Sequence, residues 1–300
     1  MTKENSLIKL SLIELRPIQW LKNLFLFAGL IFSFNFLRLE PILKSVLGFV
    51  IFCLASSSIY ILNDIIDRET DRFHPQKCKR PIASGKLSIG LASTISVLLA
   101  VCSLILSIFL NHLFFFTCFT YILLMTLYSI LLKRIVILDV ITISFGFILR
   151  AVAGAVAIDV EISHWLLLAT FLLALFLGLC KRRYELGFLA NDASAHRKAL
   201  SNYSFYLLDQ MIAVVTASTV VTYALYTMAV ETCEKFGTRL LGLTIPFVIY
   251  GIFRYLYIVH RKKEGGSPEI TLLTDKPLLI DILLWGMASV LIIYSSHFYE

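Results

Sequence analysis

Charge is scarce in this chain: 16% of its 300 residues are Asp, Glu, Lys or Arg, against about 25% in an ordinary soluble domain. What charge there is falls in short stretches. The apolar runs between them approach the roughly 20 residues that one membrane crossing needs. No gap between the runs could hold a water-soluble domain, so residues 1–300 read as a single integral membrane domain. A disulfide framework is absent too. Cys53, Cys78, Cys102, Cys118, Cys180 and Cys233 are scattered, mostly inside apolar runs, and no pair has metal-ligand spacing. Met1 to Trp20 has no long apolar core and no small-residue cleavage site, so it does not read as a cleavable leader. Its spaced leucines and isoleucines instead suggest an interfacial helix over 1–19. A net charge of +7 would suggest nucleic acid in a soluble protein. At a mean hydropathy of +0.83 it first reports topology.

The chain therefore reads as all-α and polytopic, with about nine transmembrane helices near 20–37, 42–62, 87–110, 113–132, 135–157, 164–180, 207–230, 239–259 and 278–297. The connecting segments then alternate in charge. Of the 27 Lys and Arg residues, 21 fall on one side: the amino-terminal segment, residues 63–86, Lys133 with Arg134, residues 181–206, and 261–276. Only Arg38, Lys235 and Arg239 fall on the other, while Lys44, Arg150 and Arg254 lie inside spans. The excess of positive charge places the amino terminus and the charged loops in the cytoplasm and the carboxyl terminus outside.

The segment after the second span carries an unusual pattern, Asn63-Asp64-x-x-Asp67-x-x-x-Asp71. At 100° per residue the three aspartates fall on one helix face, with Asn63 close by. Three carboxylates on one face repel one another unless a divalent cation neutralises them. An oxygen-only ligand set without a full cage suits magnesium shared with a phosphate-bearing substrate. Asp64, Asp67 and Asp71 are thus the candidate metal ligands. The basic run Lys77 to Arg80 follows at once and can hold anionic oxygens that the metal does not reach. His74 and Pro75 read as the end of this helix.

The second polar segment opens with Lys181-Arg182-Arg183-Tyr184-Glu185, where Lys181 and Glu185 share a face at i,i+4 and suggest a second substrate-facing site. Asp192, further on, could reach a metal. Arg16, Gln19, Lys22 and Asn23 stand at the entrance of the first span, and Lys133, Arg134 and Asp139 at the entrance of the fifth. Arg150 is deep in the fifth span, where an arginine reads equally as a functional group or as half of a structural pair. Arg254 reads as a snorkelling residue, and Glu264 to Glu269 as a turn.

The aspartate motif with nine spans resembles the UbiA superfamily of intramembrane prenyltransferases. Within it the match is closer to the decaprenyl-phosphate phosphoribosyltransferase branch. The stretches that carry this likeness are Arg16 to Asn23, His74 to Gly85, Lys181-Arg182 with Glu185, Tyr223 to Thr227, Phe253 to Tyr257 and Glu264 to Glu269. Prenyl-diphosphate users in the superfamily usually carry a second Asp-rich motif where this chain has Lys181 to Glu185. One departure from the branch is Arg183 where a tyrosine is expected, with Tyr184 next.

The resemblance implies magnesium-dependent transfer from phosphoribosyl pyrophosphate to a polyprenyl phosphate, in the plasma membrane, with release of pyrophosphate. Asp64, Asp67, Lys181 and Glu185 would carry the chemistry. Lys22, Asn23, Asn63, Asp71, Lys77, Arg80, Lys133, Arg134, Arg150, Arg182 and Tyr184 would bind substrate. Two other readings stand beside this one. Aromatic or quinone-precursor prenylation would keep the first Asp face, but the basic second motif counts against it. A transporter for an anion or lipid should have its polar groups near the midplane of broken spans, and here they gather on one side.

Overall fold

The computed structural model describes residues 3–161, 163–188, 202–262 and 266–296. Among them the chain is helical throughout, as expected. An amino-terminal helix α1 (Lys3–Glu14) leads into a 3-10 helix over Pro17–Phe27 and a short α2 (Ala28–Ile31). Then follow α3 (Leu39–Ile66), α4 (Arg68–Phe73), α5 (Ile89–Leu110), α6 (His112–Ile130), α7 (Leu138–Ala157) and α8 (His164–Phe188). The remainder comprises α9 (Phe205–Met228), α10 (Val230–Phe236), α11 (Ile245–Tyr257), α12 (Pro268–Thr274) and α13 (Lys276–Ser296). Polar caps start three of the long helices. Ser88, Asn111 and Ser204 accept from the backbone N–H groups of Leu91, Phe114 and Leu207.

Eight helical segments among the described residues are long and apolar enough to cross a bilayer. The first expected span, 20–37, is not one of them, because it runs as 3-10 helix before α2. It nevertheless crosses the bundle. At one end the Leu15 carbonyl accepts from Ser57 Oγ at 2.8 Å and Arg16 pairs with Asp64, both near the carboxyl end of α3. At the other end the chain reaches the start of α3, and Phe36 N–H donates to Tyr294 OH at 3.1 Å. The 3-10 rise of about 2.0 Å per residue lets fewer residues span the same thickness. The same contacts put residues 14–16 and the end of α13 at opposite ends of the bundle, as an odd number of crossings requires.

Small residues let the central elements approach closely. The Gly154 Cα faces the 3-10 segment so tightly that a Cβ there would stand 1.7 Å from the Leu26 carbonyl oxygen, and one on Gly29 would stand 2.9 Å from the backbone of Ala155. Gly154→Ala should therefore force the 3-10 segment off α7. A loss of at least about 1–3 kcal/mol is expected from overpacking, read as a lower melting temperature in detergent. Gly90→Ala, where a Cβ would meet nothing within 4 Å, is the matched control. Helices α3 and α7 are mostly buried, whereas α5 and α13 are mostly exposed. Their exposed apolar side chains, such as Val97, Leu98, Leu283 and Leu291, suit a lipid solvent.

Candidate active site

Near the carboxyl end of α3 the expected continuous helix breaks. Asp67 is at once the carboxyl cap of α3 and the amino cap of α4, and α4 stops at Phe73. His74 is its extended carboxyl cap, and its Nδ1 accepts from Gln76 N–H at 3.1 Å, so this residue ends a helix as expected. The loop then packs down through Ile82 and Leu87, which are buried against Ile61 and Ala92. This brings Arg80 back over the aspartates. One nitrogen, Arg80 Nη1, donates to Asp64 Oδ1 at 2.9 Å and to Asp71 Oδ2 at 2.5 Å. Lys77 Nζ stands 3.9 Å from Asp71 Oδ1. Arg16 pairs with Asp64 from the other side and lies over the Tyr60 ring. Its backbone has φ 54°, in the left-handed region that a residue before proline rarely enters.

Asp67 is held separately. Lys133 Nζ donates to Asp67 Oδ1 at 2.6 Å and to Asn63 Oδ1 at 3.0 Å, and Asn63 Nδ2 donates to Asp67 Oδ2 at 3.1 Å. Asp64 and Asp71 are buried. Burial pushes the Asp71 carboxyl above its ordinary value. Arg80 and Lys77 pull it down, and Asp64 and Asp67 push it up again. The donor set fits a hard divalent cation, because a single arginine nitrogen stands between two carboxylates where such an ion would stand. Among the described residues no group of three or more His, Cys, Asp or Glu side chains is placed to hold a metal ion. A cation there would complete its shell with oxygens from substrate or water, as magnesium commonly does.

A second cluster joins three distant segments. Lys22 Nζ donates to Gln19 Oε1 at 2.5 Å, Gln19 Nε2 donates to Glu269 Oε1, and Lys22 Nζ lies 3.8 Å from Glu269 Oε2. Lys181 is within the field of Glu269, Glu185 and Lys22. Burial opposes ionisation of Glu269, but Lys22 and Lys181 outweigh it and hold its carboxyl below the usual value. Tyr184 closes over this side, with its ring so near Gly266 that a Cβ there would stand 2.4 Å away. Helix α8 runs on through Phe188 rather than ending near 180, so Lys181 to Glu185 are helical.

Several residues named as substrate-binding are hydrogen-bonded within the bundle. Arg150 is buried, and its nitrogens donate to Asn23 Oδ1 at 2.8 Å, the Gly146 carbonyl at 2.9 Å and Tyr121 OH at 2.8 Å. Asn23 is fully buried and also donates to Cys53 Sγ and Ser56 Oγ. These two residues knit the 3-10 segment to α3, α6 and α7. Arg182 donates to Asp139 Oδ2 and Glu185 Oε2, both at 2.6 Å, and Tyr203 OH donates to Asp139 Oδ1 at 2.8 Å. Their polar atoms are spent because an apolar bundle leaves such groups no other partner. Arg134 is exposed and forms no ion pair with the described residues, unlike its neighbour Lys133. Arg254 forms a two-pronged pair with Asp275 at 3.0 and 2.9 Å, rather than only reaching for the interface. Arg182→Met should destabilise the fold by about 3–5 kcal/mol, because it leaves a buried carboxylate without its cation. Arg182→Met with Asp139→Asn should recover most of that loss in a detergent melt.

Glu14 is the main residue that the sequence did not single out. It is buried at the end of α1, and its Oε1 accepts the Ile82 N–H at 3.0 Å. Burial and the nearby Asp64 push its carboxyl up to about 7. Arg16 belongs to the same cluster. A lone glutamate three residues before Pro17 was the sole sequence signal for Glu14. Asp192 lies outside the described residues.

The UbiA prenyltransferase family model matches residues 24–272 of the chain. A decaprenyl-phosphate phosphoribosyltransferase from Mycolicibacterium smegmatis is 34% identical over 281 residues, covering 90% of this chain and 88% of that protein. One from Corynebacterium glutamicum is 34% identical over 288 residues, covering 93% and 85%. Among solved structures, a UbiA homolog from Archaeoglobus fulgidus bound to GPP and Mg2+ superposes with a TM-score of 0.72 at 21% identity, covering 95% of this chain and 99% of that one. With its apolar helices, its two polar clusters at the foot of the bundle and these likenesses, the chain is a multi-pass membrane protein that belongs to the UbiA prenyltransferase family.

Proposed function

We propose that this protein transfers the 5-phosphoribosyl group of phosphoribosyl pyrophosphate to a polyprenyl phosphate, decaprenyl phosphate or a close relative, and releases pyrophosphate. The observation that carries this reading is the chemistry of the second cluster. Lys22 stands 3.8 Å from Glu269 there, and Lys181, within the field of the same carboxylate, occupies the place of the second acidic motif of prenyl-diphosphate users. The donor carries a diphosphate at C1 and a phosphate at C5, and the acceptor brings a third anionic group. Separate basic residues beside a carboxylate face suit that distribution of charge. The two curated phosphoribosyltransferases, matched over most of their length, support the same activity.

Asp64, Asp67 and Asp71 would hold magnesium, which neutralises charge on the departing pyrophosphate. Arg80 and Lys77, now paired with those carboxylates, are placed to turn to the diphosphate oxygens when a cation takes their place. Lys133 and Asn63 keep Asp67 oriented. Lys181 and Lys22 would hold the 5-phosphate as point charges. The C1–O bond to pyrophosphate breaks as C1 becomes oxocarbenium-like, and a lipid phosphate oxygen forms the new C1–O bond from the opposite face. That phosphate is largely ionised near pH 7, with a second pKa of about 6, so no residue needs to remove a proton. The polyprenyl chain would lie against the apolar, lipid-facing side of the bundle.

The test is purified protein with radiolabelled phosphoribosyl pyrophosphate and decaprenyl phosphate. Magnesium-dependent label in the lipid phase, with matching pyrophosphate release, is expected. Label that stays in water, with an aromatic acid prenylated from a prenyl diphosphate instead, would overturn the reading. We place the protein in the plasma membrane with its amino terminus and both clusters facing the cytoplasm, on the strength of the positive charge gathered at that end. Reporter fusions should then put the amino terminus inside and the carboxyl terminus outside. Both termini on one face would refute this topology.

A further inference from the structure

The carboxylate of Glu269 has no obvious reason to stand among phosphate-binding lysines. It is 3% exposed, and its Oε2 is buried with no hydrogen bond among the described residues. Gln19 takes the other oxygen, Oε1, and so fixes the direction of Oε2. The nearest ion pair to Oε2 is Lys22 Nζ, at 3.8 Å and beyond hydrogen-bond range. A buried carboxylate oxygen, a pure acceptor, left without a donor calls for a ligand that donates hydrogen bonds. A phosphate cannot be that ligand, because an ionised carboxylate repels it. A sugar hydroxyl can.

Resting on the phosphoribosyl reading above, we propose that Glu269 Oε2 accepts a ribose hydroxyl of the donor, and that this contact, flanked by Lys22 and Lys181, selects a ribosyl over a prenyl group. The donor is then read in three parts. The diphosphate goes to the aspartate face, the 5-phosphate to the two lysines, and the sugar diol to Glu269. A prenyl diphosphate offers Oε2 no donor and would leave it buried and unpaired, which disfavours that substrate.

The experiment compares wild type, Glu269→Gln and Glu269→Asp on phosphoribosyl pyrophosphate and on its 2-deoxy and 3-deoxy counterparts, with lipid-phase product as the readout. Wild type should use at least one deoxy donor about 10- to 150-fold less well, the factor expected for hydrogen bonds to a charged group. Glu269→Gln should lose a similar factor on the parent donor while its use of that deoxy donor stays within about twofold of wild type. Glu269→Asp, which keeps the charge, should retain part of the preference and guards against misreading a misfolded Gln variant. An equal loss on all donors, or wild type indifferent to both hydroxyls, would overturn the assignment and leave Glu269 as a counter-ion for the lysines. Wild type that transfers nothing from phosphoribosyl pyrophosphate would instead remove the phosphoribosyl reading, and this assignment with it.

Discussion

Asp64→Asn and Asp67→Asn are each expected to lower turnover by about a thousandfold or more while the protein still purifies as a folded monodisperse species. The size follows from the role. A ligand that helps neutralise a departing pyrophosphate contributes several kcal/mol to transition-state stability, and about 4 kcal/mol corresponds to a thousandfold. Asparagine is the right probe at Asp64 because this side chain is buried between Arg16 and Arg80. Alanine would leave both arginines without a partner and confuse a loss of chemistry with a loss of fold. At Asp67 the amide can still meet Asn63 and Lys133, so the loop should keep its shape. Initial rates measured over a magnesium titration decide the matter. Near-normal maximal rates at saturating magnesium in both variants would remove the metal role from this face.

Substitution of Lys181 should produce the second large effect, and its sign separates the donor classes. Lys181→Ala removes one charge-assisted contact to the donor phosphate. At roughly 1.5–3 kcal/mol that is about 10- to 150-fold in kcat/KM, with most of the change in the KM for phosphoribosyl pyrophosphate. Lys181→Asp should be worse, for two reasons. It places a like charge beside the donor phosphate, and it sets a second carboxylate near Glu269, which already depends on Lys22 and Lys181 to stay ionised while buried. A prenyl-diphosphate enzyme would respond in the opposite way, because an aspartate there could hold a second metal ion. Retention of phosphoribosyl transfer by Lys181→Asp would therefore contradict the role given to this lysine.

The sequence by itself determined the crossings and where the charge gathers. Each follows from short-range regularity. Apolar runs of fixed length set the spans, and the alternation of Lys and Arg sets which loops share a side, whereas the break at Asp67 parts it from Asp64 and Asp71. Even the failure at the first span was one of helix type rather than of topology, since residues 16 and 36 still lie at opposite ends of the bundle. Which polar groups are spent on the fold and which stay available was decided only by the tertiary structure. Arg150 reads from the sequence equally as a functional group or as half of a structural pair, and its partner Asn23 lies 127 positions away, as the Arg182 partner Asp139 lies 43 away. Gln19 and Glu269, whose contact sets a carboxylate beside Lys22, are 250 positions apart. Helical periodicity says which side of its own helix a residue occupies. It carries no record of the neighbour across the groove, and in a bilayer that neighbour decides whether a buried charge is a brace or a binding group.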